Sequence, residues 1–213
     1  MNADRESELA PGTRAPRTQG ERRAQAERSL LDAAVQLIAE RGIERFTLAE
    51  VGLRAGYSGG LPAHYFGRKD ALVAAVARTI TERFGDDLER HLVLKPGLDG
   101  LLATAAFYLD SAAADPQTAR ALSVLLGESL HRPDLLAEIA RINRLGTAEL
   151  ERQLAYGIEQ GRIRADLDVP SEAVLILAGL RGTIAQWLAD PEGLRIEALR
   201  DAFLANLRRS LAA

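Results

Sequence analysis

The 213-residue sequence predicts an all-α protein, a small N-terminal three-helix unit followed by a larger helical bundle, about nine helices in all. Three observations carry this. Apolar residues recur at three- and four-residue steps along most of the chain, and no stretch alternates apolar and polar residues long enough for a strand. Ala and Leu are abundant and aromatics make up only 5%, a balance that favours helices. Gly and Pro fall between the periodic stretches, where they end one helix and allow the next to start. The expected division is an arm over 1–20, a small unit over 21–67 and a bundle over 68–213.

Residues 1–20 mix Pro, Gly, Arg and polar side chains without periodicity and read as a disordered arm. Residues 21–41 form a strongly amphipathic helix. Leu31, Ala34, Val35 and Ile38 keep helical spacing, and Leu30 and Leu37 widen the stripe. Thr18 and Glu21 fit a capping box ahead of it, and Gly42 stops it. Thr47 and Glu50 form a second capping box, so another helix should begin at Leu48. Its inward residues are Leu48 and Val51, and the small Ala55 leaves room for a neighbour.

Gly56 then turns the chain, since glycine adopts the left-handed conformation at little cost. Ser58 reads as the N-cap of a second short helix through Gly59, Gly60, Leu61, Pro62, Ala63 and His64, with Pro62 in its first turn. Tyr65 and Phe66 close the unit. Phe46, Leu48, Val51, Leu61 and Phe66 should be its core, while Tyr57 is open between core and surface.

A long helix follows over 68–92, with Leu72, Val76, Ile80, Phe84 and Leu88 at four-residue steps, and Lys95, Pro96 and Gly97 break it. Further helices are expected over 98–114, 117–131, 134–161, 171–189 and 194–211, with 162–169 as a connector. Val174, Leu175, Leu177, Ala178, Leu180, Ile184 and Leu188 make the penultimate helix apolar over a wide arc. Leu199, Phe203, Leu204, Leu207 and Leu211 stripe the last. Two such helices could cover a two-fold mate or fold onto the chain's own core.

Helix, glycine turn and short second helix is the shape that lays its second helix in a DNA major groove. Residues 27–76 resemble the DNA-binding segment of the TetR family of bacterial transcription regulators. The matching features are the helix end Glu40, Arg41, Gly42; Phe46 and Thr47; Ala55, Gly56, Tyr57 and Ser58; His64, Tyr65 and Phe66; and Lys69, Asp70, Ala71 and Leu72. The resemblance implies a ligand-responsive regulator, a repressor above all. It would bind a palindromic DNA operator as a homodimer through its last two helices and be released by a small molecule. In such a protein 21–67 is the DNA-binding domain and 68–213 the ligand-binding and dimerisation domain.

The charge pattern agrees with this reading. The whole chain carries −3, yet residues 10–69 hold ten Lys/Arg against six acids, a net of +4. The resemblance places DNA contacts at Thr47, Ser58, Gly59, Gly60, Leu61, His64, Tyr65 and Lys69. Tyr65 and Lys69 are expected on phosphates, and Thr47 is expected to touch the backbone or to cap its helix. Gly59 and Gly60 should let the backbone approach the duplex. The second helix is poor in the Arg, Asn and Gln that pair bidentately with bases. Ala63 replaces a common Tyr, and Arg68 stands where a Ser or Asn cap is usual. Readout should therefore lean on Ser58, His64, Leu61 against thymine methyls, and DNA shape. Arg14, Arg17, Arg22 and Arg23 leave the arm open between a solvated tail and a minor-groove or phosphate contact.

For the small molecule, Phe107, Tyr108, Leu122, Leu126, Leu130, His131, Ile142, Leu145 and Trp187 are candidate wall residues, implying a mostly apolar effector. Enzyme motifs are missing: there is no phosphate loop, HExxH, GxSxG or dinucleotide fingerprint, and the three histidines are widely spaced. No metal or cofactor is expected. With no cysteine, no segment near 18 uninterrupted apolar residues and a charged start, a cytoplasmic location is expected. Two other readings fit the same residues. One is a ligand-independent activator or architectural DNA-binding protein. The other is a helical small-molecule binder without DNA function.

Overall fold

The computed structural model describes residues 18–91 and 96–213; residues 1–17, most of the expected arm with Arg14 and Arg17, lie outside them, as do Leu92 and Lys95. Among the described residues the chain forms nine α-helices and no strand. They are α1 (Gln19–Arg41), α2 (Leu48–Arg54), α3 (Leu61–Phe66), α4 (Lys69–His91), α5 (Leu98–Ala114), α6 (Pro116–Glu128), α7 (Pro133–Glu159), α8 (Val169–Ala189) and α9 (Ile196–Leu211). A 3-10 turn, Ser129–His131, joins α6 to α7.

Both capping boxes form. Thr18 Oγ1 accepts the Glu21 N–H at 3.2 Å while Glu21 Oε2 accepts the Thr18 N–H at 2.7 Å, so α1 begins at Gln19, two residues ahead of expectation. Asp115 caps α6 through the Thr118 N–H at 3.0 Å. The Gly97 N–H, at the head of α5, donates to the buried Gln153 side chain of α7 at 2.8 Å. The chain's end is tied back to the α7–α8 connector, where Arg164 N–H donates to the Leu211 carbonyl at 3.0 Å.

Two hydrophobic cores hold the molecule. The first gathers Leu30, Leu37 and Ile38 of α1, Phe46, Val51 of α2, and Leu72 and Val76 of α4. It continues without a break into Leu125 of α6 and Ile139 and Ile142 of α7. The expected small unit is therefore not sealed by its own three helices; α1 packs against α6, and α4 against α7. The second core joins Leu101, Leu109, Leu154, Ile176, Leu180, Leu207 and Leu211 from α5, α7, α8 and α9.

Helix α8 is long and apolar enough to span a bilayer by length and composition, although polar residues interrupt its apolar run. Only its inner side is buried, through Ala173, Ile176, Leu180, Ile184 and Leu188. Val174 and Leu175 stay 54% and 64% exposed. Gly179 closes on the Phe203 ring of α9, so its small size serves packing within the chain, whereas Gly182 faces open space.

Candidate nucleic-acid interface

The helix-turn-helix is α2 and α3. Thr47 Oγ1 accepts the Glu50 N–H at 3.2 Å, and Glu50 Oε2 accepts both the Thr47 N–H at 2.8 Å and its hydroxyl at 3.0 Å. These bonds, the backbone one foremost, hold the Glu50 carboxyl below its ordinary range. Thr47 is exposed, but its hydroxyl proton is directed to Glu50.

The turn is built on contact. Gly56 takes φ +78°, and the Tyr57 N–H reaches back to the Gly52 carbonyl at 2.9 Å. A Cβ on Gly52 would lie 2.4 Å from the Ser58 carbonyl oxygen, so only glycine lets α2 touch the turn here. Gly52 is a residue that pattern reading missed, although a lone glycine inside a helical stretch is its signal.

Ser58 is exposed but does not cap α3. The cap position is Gly60, without a side-chain bond, and the Ser58 carbonyl instead accepts the Leu61 N–H at 3.1 Å. Gly59 and Gly60 thus lie in the turn ahead of α3. Gly59 is pressed on α2, where a Cβ would meet Ala49 Cβ at 3.2 Å, so its bareness serves the turn. Gly60 is exposed, and a Cβ on it would meet nothing within 4 Å. Pro62 is buried in the first turn and Leu61 leans on the core, while Ala63 and His64 are exposed.

Two expected phosphate contacts have partners inside the chain. The Tyr65 hydroxyl donates to the Arg23 carbonyl of α1 at 3.3 Å. Lys69 Nζ donates to the carbonyls of Phe46 at 2.7 Å and Glu44 at 3.3 Å, and lies 4.5 Å from the centre of the Phe46 ring. Partial burial lowers the Lys69 ammonium's pKa, outweighing the nearby carboxylates. Lys69 clips the α1–α2 loop to α4, leaving at most one N–H direction for a duplex.

Much of the positive charge around α2 and α3 is also matched. Arg41 pairs with Glu50 at 3.2 Å, Arg54 with Glu40 at 2.7 Å and Arg68 with Asp134 at 2.7 Å. Arg132, just ahead of α7, touches Glu44, Asp70 at 3.0 Å and Glu128 at 3.8 Å. A cleft of about 150 Å³ opens at this joint, with His131, Pro133 and Val73 on its walls.

The candidate wall residues do not share one lining. Phe107 and Tyr108 come together, their rings 5.6 Å and 5.1 Å from that of Phe84. Trp187 packs against the same core as Tyr108. Leu122 and Leu126 lean on the other core, and Ile142 is sealed inside it. Leu130 is 73% exposed, and His131 and Leu145 are exposed too, so these three do not wall an enclosed cavity.

A half-exposed short helix behind a glycine turn, carried on helices that enter a second bundle, defines a helix-turn-helix regulator. Residues 30–76 match the family model of bacterial regulatory proteins of the tetR family, and residues 98–212 that of the BetI-type transcriptional repressor C-terminal domain. The HTH-type transcriptional regulator BetI of Brucella suis is 30% identical over 138 residues, 65% of this chain and 68% of that protein. A putative TetR-family regulator from Rhodococcus sp. superposes with a TM-score of 0.79 at 21% identity, covering 89% of this chain and all of that one. A putative transcriptional regulator from Saccharomonospora viridis, solved in complex with choline, has a TM-score of 0.79 at 18% identity, covering 89% and 99%. The chain belongs to the tetR family and carries a BetI-type repressor domain; it is a DNA-binding transcriptional repressor. The family is one of regulators, not enzymes.

Proposed function

We propose that this repressor binds a palindromic operator as a homodimer joined through α8 and α9, and that a small, mostly apolar molecule releases it. The observation that carries the dimer is the outward stripe of α8. Val174, Leu175, Ala178, Gly182 and Ala185 are all exposed on one side of the helix, apolar or small throughout. A soluble chain gains by covering such a stripe, and a second copy offers the same self-complementary surface. Two heads related by that two-fold axis would read half-sites about 10 base pairs apart, or a multiple of that.

DNA contacts are proposed at the exposed residues of the turn and α3, namely Ser58, Gly60 and His64, with Thr47 alongside. For the effector, the Phe84, Phe107 and Tyr108 rings on α4 and α5 form the best-gathered part of the wall. Aromatic faces suit an apolar body and attract an organic cation. Choline is therefore the first probe, being the ligand in the Saccharomonospora neighbour. The test is a mobility-shift titration on DNA from upstream of the protein's own gene, with sedimentation to give the mass of the bound species. A two-protomer complex weakened by an effector supports the reading. Failure to shift that DNA at low salt would remove it.

A further inference from the structure

We propose that Arg23 is a DNA-phosphate contact and that Tyr65 acts through it, as the residue that holds it beside the recognition helix. The inference rests on the operator-binding reading above. In the described part of the first 69 residues, Arg41, Arg54 and Arg68 are tied to carboxylates and Lys69 to two carbonyls. Arg28 is bonded to Gln25 at 3.1 Å. Arg22, Arg23 and Arg45 form no ion pair among the described residues, and of these three it is Arg23 whose guanidinium lies over an aromatic ring, 5.8 Å from the centre of Tyr65. The Tyr65 hydroxyl fixes the same residue from below, through the Arg23 carbonyl at 3.3 Å. The Tyr65 ring is itself edge-on to His64, with centres 5.9 Å apart.

His64, Tyr65 and Arg23 therefore form a continuous row from the exposed side of α3 to the first turns of α1. A helix laid in the major groove is flanked by the two phosphate backbones. A cation one ring beyond its exposed histidine sits at the flank, where phosphates lie rather than base edges. Among the described residues no carboxylate matches the guanidinium, which is planar and suited to bidentate phosphate binding. The cation–π contact with Tyr65 limits its rotamers before DNA arrives, so less entropy is lost on contact. The Tyr65 hydroxyl has its proton on a carbonyl and has none left for a phosphate, so its contribution is to position.

The experiment is the salt dependence of operator binding by the full chain, wild type against Arg23→Gln, Tyr65→Phe and the double variant. Loss of one phosphate contact per head, two per dimer, should lower the log–log slope by about 1.8. Over a four-fold rise in salt, that slope change makes an affinity loss of about ten-fold at low salt nearly vanish. Tyr65→Phe should weaken binding less, and the double variant should be no weaker than Arg23→Gln alone. An Arg23→Gln slope equal to wild type, with an unchanged thermal midpoint, would overturn the assignment. Additive losses in the double variant would overturn the positioning role of Tyr65. A wild-type chain that fails to shift the operator would instead count against the operator-binding reading.

Discussion

The Lys69 ammonium and the Phe46 carbonyl, 2.7 Å apart, close the loop between α1 and α2 onto the start of α4. The same ammonium lies over the Phe46 ring, so one side chain fixes both the backbone and the side chain of a buried residue. Removing it leaves two carbonyls without their donor and frees the loop that carries Thr47. Lys69→Met should cost about 1.5–3 kcal/mol, the range for hydrogen bonds to a charged group. Chemical denaturation checks the cost. The salt slope of DNA binding checks the role: it should stay within a few tenths of wild type, whereas a principal phosphate contact would lower it by about 1.8 per dimer.

Gly52→Ala addresses the turn itself. The new methyl meets backbone, the Ser58 carbonyl oxygen at 2.4 Å, and backbone cannot rotate aside as a side chain would. Overpacking of this kind costs about 1–3 kcal/mol. Because the strain falls between α2 and the turn that launches α3, operator affinity should drop further than stability alone explains. Equal unfolding midpoints for variant and wild type would show that the turn gives way easily.

Acid should loosen the helix-turn-helix. Glu50 and Glu40 both titrate below their ordinary value of 4.5, Glu50 through the Thr47 N–H and hydroxyl, Glu40 through the Arg54 guanidinium. A depressed carboxylate stabilises the fold above its unfolded pKa and ceases to do so as pH falls through its folded one. The thermal midpoint should therefore hold near neutrality and decline below about pH 4.5. Glu50→Gln keeps a capping-box acceptor but removes the titration. Its midpoint should start slightly lower at neutral pH and fall less steeply in acid; parallel curves would exclude Glu50 as a contributor.

Where punctuation is local, the chain is easy to read. Pro96 and Gly97 ahead of it and Asp115 and Pro116 behind it bracket α5, which spans Leu98–Ala114 as expected. Ser58 shows where local reading stops. A serine ahead of an apolar pair is a sound cap in isolation, yet the start of α3 is set by Gly59 against Ala49 and by Pro62 buried beside Gly52, both contacts with α2. Ile142 makes the same point for the effector wall. Periodicity shows that α7 has an apolar face, but not that this part of it turns toward α4 and α6 and joins the first core. The ion pairs that engage Arg41, Arg54 and Arg68 span 9, 14 and 66 positions, and no motif announces them.

Arg132 is placed to relay a change in the bundle to the DNA-binding head. Its side chain is only 23% exposed and meets Glu44 of the α1–α2 loop, Asp70 in the first turn of α4 and Glu128 at the end of α6. A shift of α6 against α4 changes the distance between Glu128 and Asp70, the two carboxylates that Arg132 bridges. Arg132→Gln should alter the coupling between effector and operator by about 0.5–2 kcal/mol. With the effector at the proposed Phe84, Phe107 and Tyr108 wall, its affinity for the DNA-free protein should change little, because Asp70 and Phe84 stand 14 residues apart on α4, about 21 Å along the helix. Comparing operator affinity with and without a saturating effector, in wild type and variant, measures this. A coupling unchanged by Arg132→Gln would mean that the continuous apolar core alone carries the signal.

Leu175 distinguishes a chain that needs a mate from one that does not. In the single chain it is 64% exposed, so Leu175→Arg should alter monomer stability by no more than about 0.5 kcal/mol, as surface changes usually do. In a two-fold interface the same change sets two guanidinium groups into an apolar seam, where they lose water without gaining partners. Sedimentation should then report a monomer. Operator affinity should fall on the order of 10²-fold or more, because each head would bind its half-site without the other's effective concentration. A variant that remains a dimer and binds as wild type would move the interface off the exposed side of α8. That stripe would then need another occupant, since Val174 and Leu175 find no cover among the described residues.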